Sequence, residues 1–241
     1  SKARLEVLRS KVLAEHPHAD LGIVVATCDV ASGSLRDMAA RARLVITAAG
    51  PYHVVGEPVV AACIEAGTHY VDITGEIPWV AEMSAAYNAR AKAAGVCLCS
   101  FSGYDCVPAE LSVFLARKEG LRGAKLQSAE CVFDLGGAGG APRGTLLTVI
   151  TSMSPSFVGG MMRFLPPAER GPTCLSLLLW LLPWWSTGVG AFTIPHFMGW
   201  CNTPVVHASC AALGTGGLRY QDRQLLGGGG PLSLYGLLPV A

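Results

Sequence analysis

The stretch LVITAAGPYHVVGEPVV, residues 44–60, decides the fold of the first half of this chain. Residues 44–48 form a short apolar run rich in β-branched side chains, which is typical of a buried strand. Gly50 and Pro51 then predict a sharp turn, because glycine and proline favour the backbone angles that turns require. Farther along, Pro58 fits the first position of a helix. The stretch therefore predicts a strand, a turn and a helix in succession.

The same alternation runs through the first 117 residues. Strands of about five residues that alternate with helices of about ten to eighteen favour a parallel α/β sheet with helices on both faces. The predicted strands are residues 21–27, 44–48, 69–73 and 96–100. The first two predicted helices are residues 2–14, which have an amphipathic pattern, and residues 34–42. The third runs from about Pro58 to a C-terminal cap at Gly67. A longer helix presents Val80, Met83 and Tyr87 on one face and is closed by Gly95, and a last helix begins near Pro108.

A second, α+β region is predicted after a boundary near residue 120, which gives domains at 1–120 and 121–241. Residues 126–135 resemble a strand, 136–141 a glycine-rich loop and 145–152 a short helix. Residues 171–218 contain no Asp, Glu, Lys or Arg. Within them, the apolar run 175–185 is shorter than the about twenty residues of a membrane span and contains a proline. A buried core segment and an interfacial segment held by Trp180, Trp184 and Trp185 therefore stay open, ahead of a full span.

Composition excludes several classes of protein. The 241 residues carry a net charge of +1 with 15% charged side chains, so no nucleic-acid partner is expected. The nine cysteines never form a C-x-x-C pair, which favours free thiols in a reducing compartment and predicts no metal site. The same cysteine pattern leads us to expect an intracellular protein and not a secreted one, and no signal-peptide pattern is visible in the first residues.

Polar residues follow several of the predicted strands. Ligands bind outside the carboxyl ends of the strands in open parallel α/β sheets. The positions to inspect are Asp29, Gly50 to Tyr52, Asp72 to Glu76 and Ser102 to Asp105. Gly50 and Pro51 would let the backbone approach a flat ligand, and Tyr52 could cover a ring, although an ordinary turn with a packed tyrosine explains the same residues.

Several of these residues could either act on a substrate or cap a helix. The carboxylates of Asp72 and Glu76 could face the cleft and act on a proton or orient a substrate. Helix capping by Thr74, with Glu76 in the first turn, is the alternative. Tyr104 and Asp105 are cleft residues by position, and Asp105 could instead cap the helix near Pro108.

Two blocks of sequence resemble the saccharopine dehydrogenase-like oxidoreductases, including the trans-acting enoyl reductase branch. The blocks are GPYHVVGEPVVAACIEAGTHYVDITGE, residues 50–76, and GYDCVPAEL, residues 103–111. The resemblance extends over about residues 1–117. It implies a Rossmann domain with an inserted or following α+β domain, and NAD or NADP as the cofactor.

The resemblance also implies roles for single residues. The turn Gly50, Pro51 and Tyr52 would lie against the nicotinamide half of the dinucleotide, and Asp29 near its adenine. The cofactor-binding set is Asp29, Gly50, Pro51, Tyr52 and Asp72. The catalytic candidates are Glu76, Tyr104 and Asp105.

The chain departs from the family at its beginning. The glycine-rich loop that holds the pyrophosphate and the first two strands are not present, so we expect an N-terminally truncated Rossmann domain. In the family's strand order, the missing strands would lie between residues 21–27 and 44–48, which leaves a gap. Lys2 and Arg4 would lie where relatives read the 2′-phosphate of NADP, although an ordinary basic helical turn explains them equally well.

These observations predict an NAD(P)-dependent oxidoreductase that transfers hydride to or from a small or lipidic substrate, in lipid or glycolipid metabolism. The apolar second half suggests association with a membrane or a lipid droplet, and the resemblance adds the mitochondrion or the plastid as locations. A homodimer stays open. The alternative is a non-catalytic, membrane- or lipid-droplet-associated Rossmann-like protein without a complete cofactor site.

Overall fold

The computed structural model describes residues 2–18, 22–25, 34–120, 126–134, 182–196, 198–215 and 217–225. The helices in these ranges are α1 (Lys2–Glu15), α2 (Ser34–Ala40), α3 (Tyr52–Ala66), α4 (Ile77–Ala93), α5 (Val107–Leu115), which continues into a π-helical turn (Ala116–Gly120), and α6 (Gly199–Ala212). The strands are β1 (Leu44–Thr47), β2 (His69–Asp72), β3 (Leu98–Cys99), β4 (Ser128–Phe133), β5 (Trp184–Ser186), β6 (Ala191–Pro195) and β7 (Arg219–Leu225).

The first sheet is parallel, with the strand order β1, β2, β3. Helix α3 connects β1 to β2, and α4 connects β2 to β3. Buried side chains of α3, α4 and β2 form a single apolar core, which includes Val60, Cys63, Tyr70, Trp79 and Tyr87. This arrangement confirms the predicted α/β class with a parallel, Rossmann-like sheet.

The predicted start of α3 at Pro58 is wrong. The helix begins at Tyr52, and Pro58 lies inside it. The early start has a long-range cause, because the carboxylate of Glu76 accepts hydrogen bonds from the first two backbone N–H groups of the helix. Its end is as predicted: Gly67 adopts a left-handed φ of 70°, and its N–H donates to the carbonyl oxygen of Ile64.

The predicted buried strand at residues 21–27 is wrong where the structure describes it. Residues 22–25 carry no strand pairing, and Val24 is 73% exposed. A strand needs a neighbour for its backbone groups, and β1 is the edge of the described sheet, with Ile46 left exposed. The predicted helix at 2–14 is confirmed as α1, but none of its side chains is buried.

The second sheet has the order β4, β7, β6, β5. Strand β4 is parallel to β7, and the other two pairs are antiparallel. Its core contains Val206 and Cys210 of α6, together with Ala109 and Val113 of α5. Helix α5 thus connects the first sheet to the core of the second.

One prediction for the second region is confirmed, and others fall on residues that the structure does not describe. The predicted strand at 126–135 is present as β4. The loop at 136–141, the helix at 145–152 and Trp180 fall outside the described ranges. Among the residues that the structure describes, no helix is long and apolar enough to cross a membrane. The domain boundary near residue 120 stays a prediction.

Candidate active site at the carboxyl end of the parallel sheet

Three loops meet at the carboxyl ends of β1, β2 and β3, as the sequence predicts for a parallel sheet. They contain residues 48–51, 73–76 and 100–106. All the predicted site residues lie in these loops or next to them, except Asp29, which falls outside the described residues. Two buried carboxylates, which accept hydrogen bonds from all three loops or the residues next to them, join the loops.

Glu76 fixes the position of the turn at Gly50 and Pro51. The residue is 1% exposed, and its two carboxylate oxygens accept hydrogen bonds from the backbone N–H groups of Tyr52 and His53, both at 2.8 Å. The Nδ1 atom of His53 lies 2.6 Å from the same carboxylate. A negative charge at this position is stabilised by the positive end of the α3 dipole. The side chain therefore caps α3 from 24 residues away in sequence, a different capping role from the one considered for Thr74.

Asp72 ties the end of β2 to the loop after β3. It is fully buried, and its carboxylate accepts hydrogen bonds from the Thr74 N–H, the Ser100 hydroxyl and the Phe101 N–H. Burial raises the pKa of Asp72, and these hydrogen bonds oppose the increase. The backbone of Phe101 has a φ of 59°, which costs a non-glycine residue energy. The bond to Asp72 helps to hold that conformation.

Tyr52 packs into the core, which was the alternative to a role in covering a ligand. Its hydroxyl donates to the Thr47 carbonyl oxygen at 3.0 Å, and its ring centroid lies 5.6 Å from that of Trp79. Burial raises the pKa of its hydroxyl. The part of the turn that is exposed is the backbone of residues 48–50, whereas Pro51 is half-buried. The cofactor roles of Gly50, Pro51, Tyr52 and Asp72 stay predictions.

Tyr104 and Asp105 lie in the third loop and reach solvent. Tyr104 is 81% exposed, the most exposed of the large apolar or aromatic side chains in the described ranges. The N-cap position of α5 belongs to Cys106, and no side chain makes a capping hydrogen bond there. Asp105 therefore does not cap the helix, and both side chains stay free to contact a ligand. Their catalytic role stays a prediction.

The charges in these three loops bear on whether they can bind a phosphate group. The described loops at 47–52, 72–77 and 99–106 contain three carboxylates, those of Asp72, Glu76 and Asp105, and no Lys or Arg. A pyrophosphate prefers a free helix N-terminus or a cation, but Glu76 already occupies the N-terminus of α3. These described loops therefore offer neither a cation nor a free helix N-terminus at α3 to a pyrophosphate, and the placement of the nicotinamide at the turn stays a prediction.

A cavity of about 390 Å³ extends from this edge beneath α4. Its lining combines apolar side chains with the polar residues Ser84, Asn88 and Ser100 and with one basic residue, Lys92. Ser100 also donates to Asp72, so one end of the cavity adjoins the site. The sequence reasoning missed this cavity, because none of its lining residues forms a recognisable motif.

A second buried polar cluster, which the sequence reasoning also missed, lies in the other sheet. The carboxylate of Asp222 on β7 accepts hydrogen bonds from the Asn202 amide and the Tyr220 hydroxyl, and all three side chains are buried. Burial raises the pKa of Asp222. The run RYQDRQL, residues 219–225, is mostly polar, so the pattern carried no signal that Asp222 is buried.

Comparisons with known proteins agree with this geometry. Residues 7–99 match the family model described as the Saccharopine dehydrogenase NADP binding domain. A mouse saccharopine dehydrogenase-like oxidoreductase is 41% identical over 102 residues, which cover 42% of this chain and 23% of the relative. A Caenorhabditis elegans protein named "Lipid droplet localized protein" is 45% identical over 85 residues, which cover 35% of this chain and 20% of the relative.

A third relative comes from bacteria. A Mycobacterium tuberculosis protein, named as a candidate trans-acting enoyl reductase, is 37% identical over 127 residues, which cover 50% of this chain and 30% of the relative. Each match thus spans less than a third of the relative's length. The predicted resemblance and the predicted NAD(P) cofactor are confirmed for the matched part of the chain.

Proposed function

We propose, from the premise that residues 7–99 match the NADP-binding domain of saccharopine dehydrogenases, that the protein is an NAD(P)-dependent oxidoreductase acting on a small or lipidic substrate. One observation carries this proposal: the matched residues place a turn, residues 48–51, whose first three residues are exposed, at the carboxyl end of a parallel sheet. This is where open α/β sheets bind their ligands.

Each group at this edge has a distinct part in the proposal. The backbone at Gly50 and Pro51 forms the wall against the nicotinamide, which supplies the hydride when the cofactor is bound. Glu76 and Asp72 position the loops through their hydrogen bonds, while a catalytic role of Glu76 and a cofactor contact of Asp72 stay predictions. Tyr104 and Asp105, both exposed, orient the substrate or exchange a proton with it. The cavity beneath α4 adjoins this site and offers apolar surface to a lipidic substrate.

The first test is the binding of NADPH and NADH to the chain, measured by calorimetry, with Gly50→Val as the variant. A Cβ atom at Gly50 would lie 3.5 Å from the Tyr52 ring, an ordinary contact, so the variant should fold. Its side chain would occupy the proposed nicotinamide wall. We expect the dissociation constant for NADPH to rise about tenfold, which corresponds to about 1.4 kcal/mol.

Two controls make this result specific. Gly188→Val lies in the second region, where a Cβ meets only the Ser186 hydroxyl at 3.9 Å, and it should leave binding unchanged. The fragment 2′-phospho-ADP-ribose lacks the nicotinamide, so Gly50→Val should leave any binding of it unaffected. Equal losses for NADPH and for the fragment would contradict the placement of the nicotinamide at this turn.

The second part of the proposal is that the protein works on a lipid surface, in lipid or glycolipid metabolism. The hairpin of β5 and β6 exposes two tryptophans, Trp184 at 57% and Trp185 at 56%, together with Leu182, Val189 and Phe192. Tryptophan favours membrane interfaces, and residues 171–218 carry no charged side chain that would oppose insertion. The worm relative named for lipid droplets supports the same conclusion.

Flotation with phosphatidylcholine vesicles tests this part. We expect the unaltered chain to float with the vesicles and the double variant Trp184→Ser and Trp185→Ser to lose most of that binding. The control is Val7→Ser and Leu8→Ser, which removes two exposed apolar side chains from α1 and should float normally. Equal flotation of both variants would exclude the hairpin as the lipid contact.

A non-catalytic lipid-associated protein is the second candidate function. The observation in its favour is that a carboxylate occupies the N-terminus of α3 and that the described loops of the site offer no cation to a phosphate. If the chain floats with vesicles but binds neither NADPH nor NADH, this candidate replaces the oxidoreductase.

A further inference from the structure

Two buried thiols meet where the two sheets are joined. The Sγ atoms of Cys106 and Cys201 lie 3.6 Å apart, although the residues are 95 positions apart in sequence. Cys106 occupies the N-cap position of α5, and Cys201 lies in the first turn of α6. Cys106 lies within the block 103–111 that resembles the family, but neither cysteine takes part in the proposed hydride transfer.

The surroundings of the pair are apolar and shared by both halves of the fold. Both cysteines are buried in one cluster with Ile77, against which Phe101 and Met198 pack. A Cβ atom at Gly75 would lie 3.9 Å from the Cys201 sulfur. The first turn of α6 therefore packs closely against the loop that carries Glu76.

We propose that Cys106 and Cys201 are a redox-sensitive pair that forms a disulfide and thereby links the N-terminus of α5 to that of α6. The oxidant is of the peroxide class: two thiols lose two protons and two electrons, hydrogen peroxide is reduced to two water molecules, and one S–S bond forms. The sulfur atoms must approach from 3.6 Å to about 2.05 Å. This is a shift of about 1.5 Å, which side-chain rotation can supply in part.

The reaction is slow relative to that of the exposed thiols. The neighbouring Cys106 thiol and burial raise the pKa of Cys201, and the charges of Asp105 and Asp222 act in the same direction. Because the thiolate is the reactive form, exposed Cys97 and Cys99 react first with an alkylating reagent at neutral pH. Cys97 and Cys99 therefore show that the reagent reaches exposed thiols, whereas a bond between Cys106 and Cys201 would show that these two thiols lie close together.

Peptide mapping of the oxidised chain tests the proposal directly. The reduced chain is treated with hydrogen peroxide, blocked with iodoacetamide in denaturant and digested with chymotrypsin without reduction. Cleavage after Tyr104 and Trp200 separates the cysteines of the pair from Cys97 and Cys99. We expect the dominant cross-linked peptide to join Cys106 to Cys201, with a loss of 2 Da relative to the two thiols. Alkylation of both thiols in the oxidised chain would overturn the proposal, because it would mean that they had stayed reduced.

Thermal unfolding gives a second readout. A disulfide that closes a loop of this length is expected to raise Tm by about 10 °C, and a reductant should reverse the rise. The rise should disappear in Cys201→Ser and Cys106→Ala and persist in Cys97→Ser. If it persists in both variants of the pair, the bond lies elsewhere. Neither readout depends on cofactor binding, so the inference stands or falls apart from the proposed function.

Discussion

Glu76 stabilises the site loops through hydrogen bonds between elements that are distant in sequence. The variant Glu76→Gln keeps the shape of the side chain but removes the charge, and its amide group can accept only one of the two N–H bonds that the carboxylate accepts. We expect the free energy of unfolding to fall by about 2 to 3 kcal/mol, because a buried donor is left unsatisfied and the helix dipole loses its anion. Urea denaturation measures the change.

The matched control is Glu82→Gln, an exposed carboxylate in α4. A surface change of this kind should alter stability by less than about 0.5 kcal/mol. If Glu76→Gln is as stable as the control, the three contacts of this carboxylate contribute little.

Secondary structure was predictable where its causes are local. Strands β1, β2 and β3 follow from short apolar runs bounded by glycine, proline or polar residues, and Gly67 ends α3 through its own backbone freedom. The start of α3 was not predictable, because its cap comes from Glu76. The strand predicted at residues 21–27 was wrong for a similar reason: β-branched composition favours a strand, but it does not supply the neighbouring strand that residues 22–25 would need.

For the candidate site, too, one part was predictable from the sequence and another part was not. The topology of a parallel sheet placed the three loops at one edge, so the location was available from the sequence. The roles of single side chains were not, because they depend on neighbours. Tyr52 is buried by its contact with Trp79, which lies in a different helix. Gly56 permits the same approach of α3 to α4, since a Cβ there would lie 2.5 Å from the Trp79 ring.

The two sheets are expected to unfold as one cooperative unit. Helix α5 contributes Ala109 and Val113 to the second core, while Cys106 at its start packs with Ile77 of α4. We predict that Val206→Ala, a substitution in the second core, lowers the stability of both sheets by about 2 kcal/mol, because two buried methyl groups are lost. Hydrogen exchange of individual backbone amides measures the effect on each sheet separately.

The amide of Tyr70 reports the first sheet, since it donates to the carbonyl oxygen of Cys97 at 2.9 Å. If exchange of this amide requires global unfolding, Val206→Ala should speed it about thirtyfold, because a loss of about 2 kcal/mol in stability raises the unfolded population by that factor. The matched variant Val60→Ala, in the first core, should conversely speed the exchange of β7 amides. Acceleration confined to the sheet that carries each substitution would instead mean that α5 joins two units that unfold independently, because each core would then hold its own strands without the other.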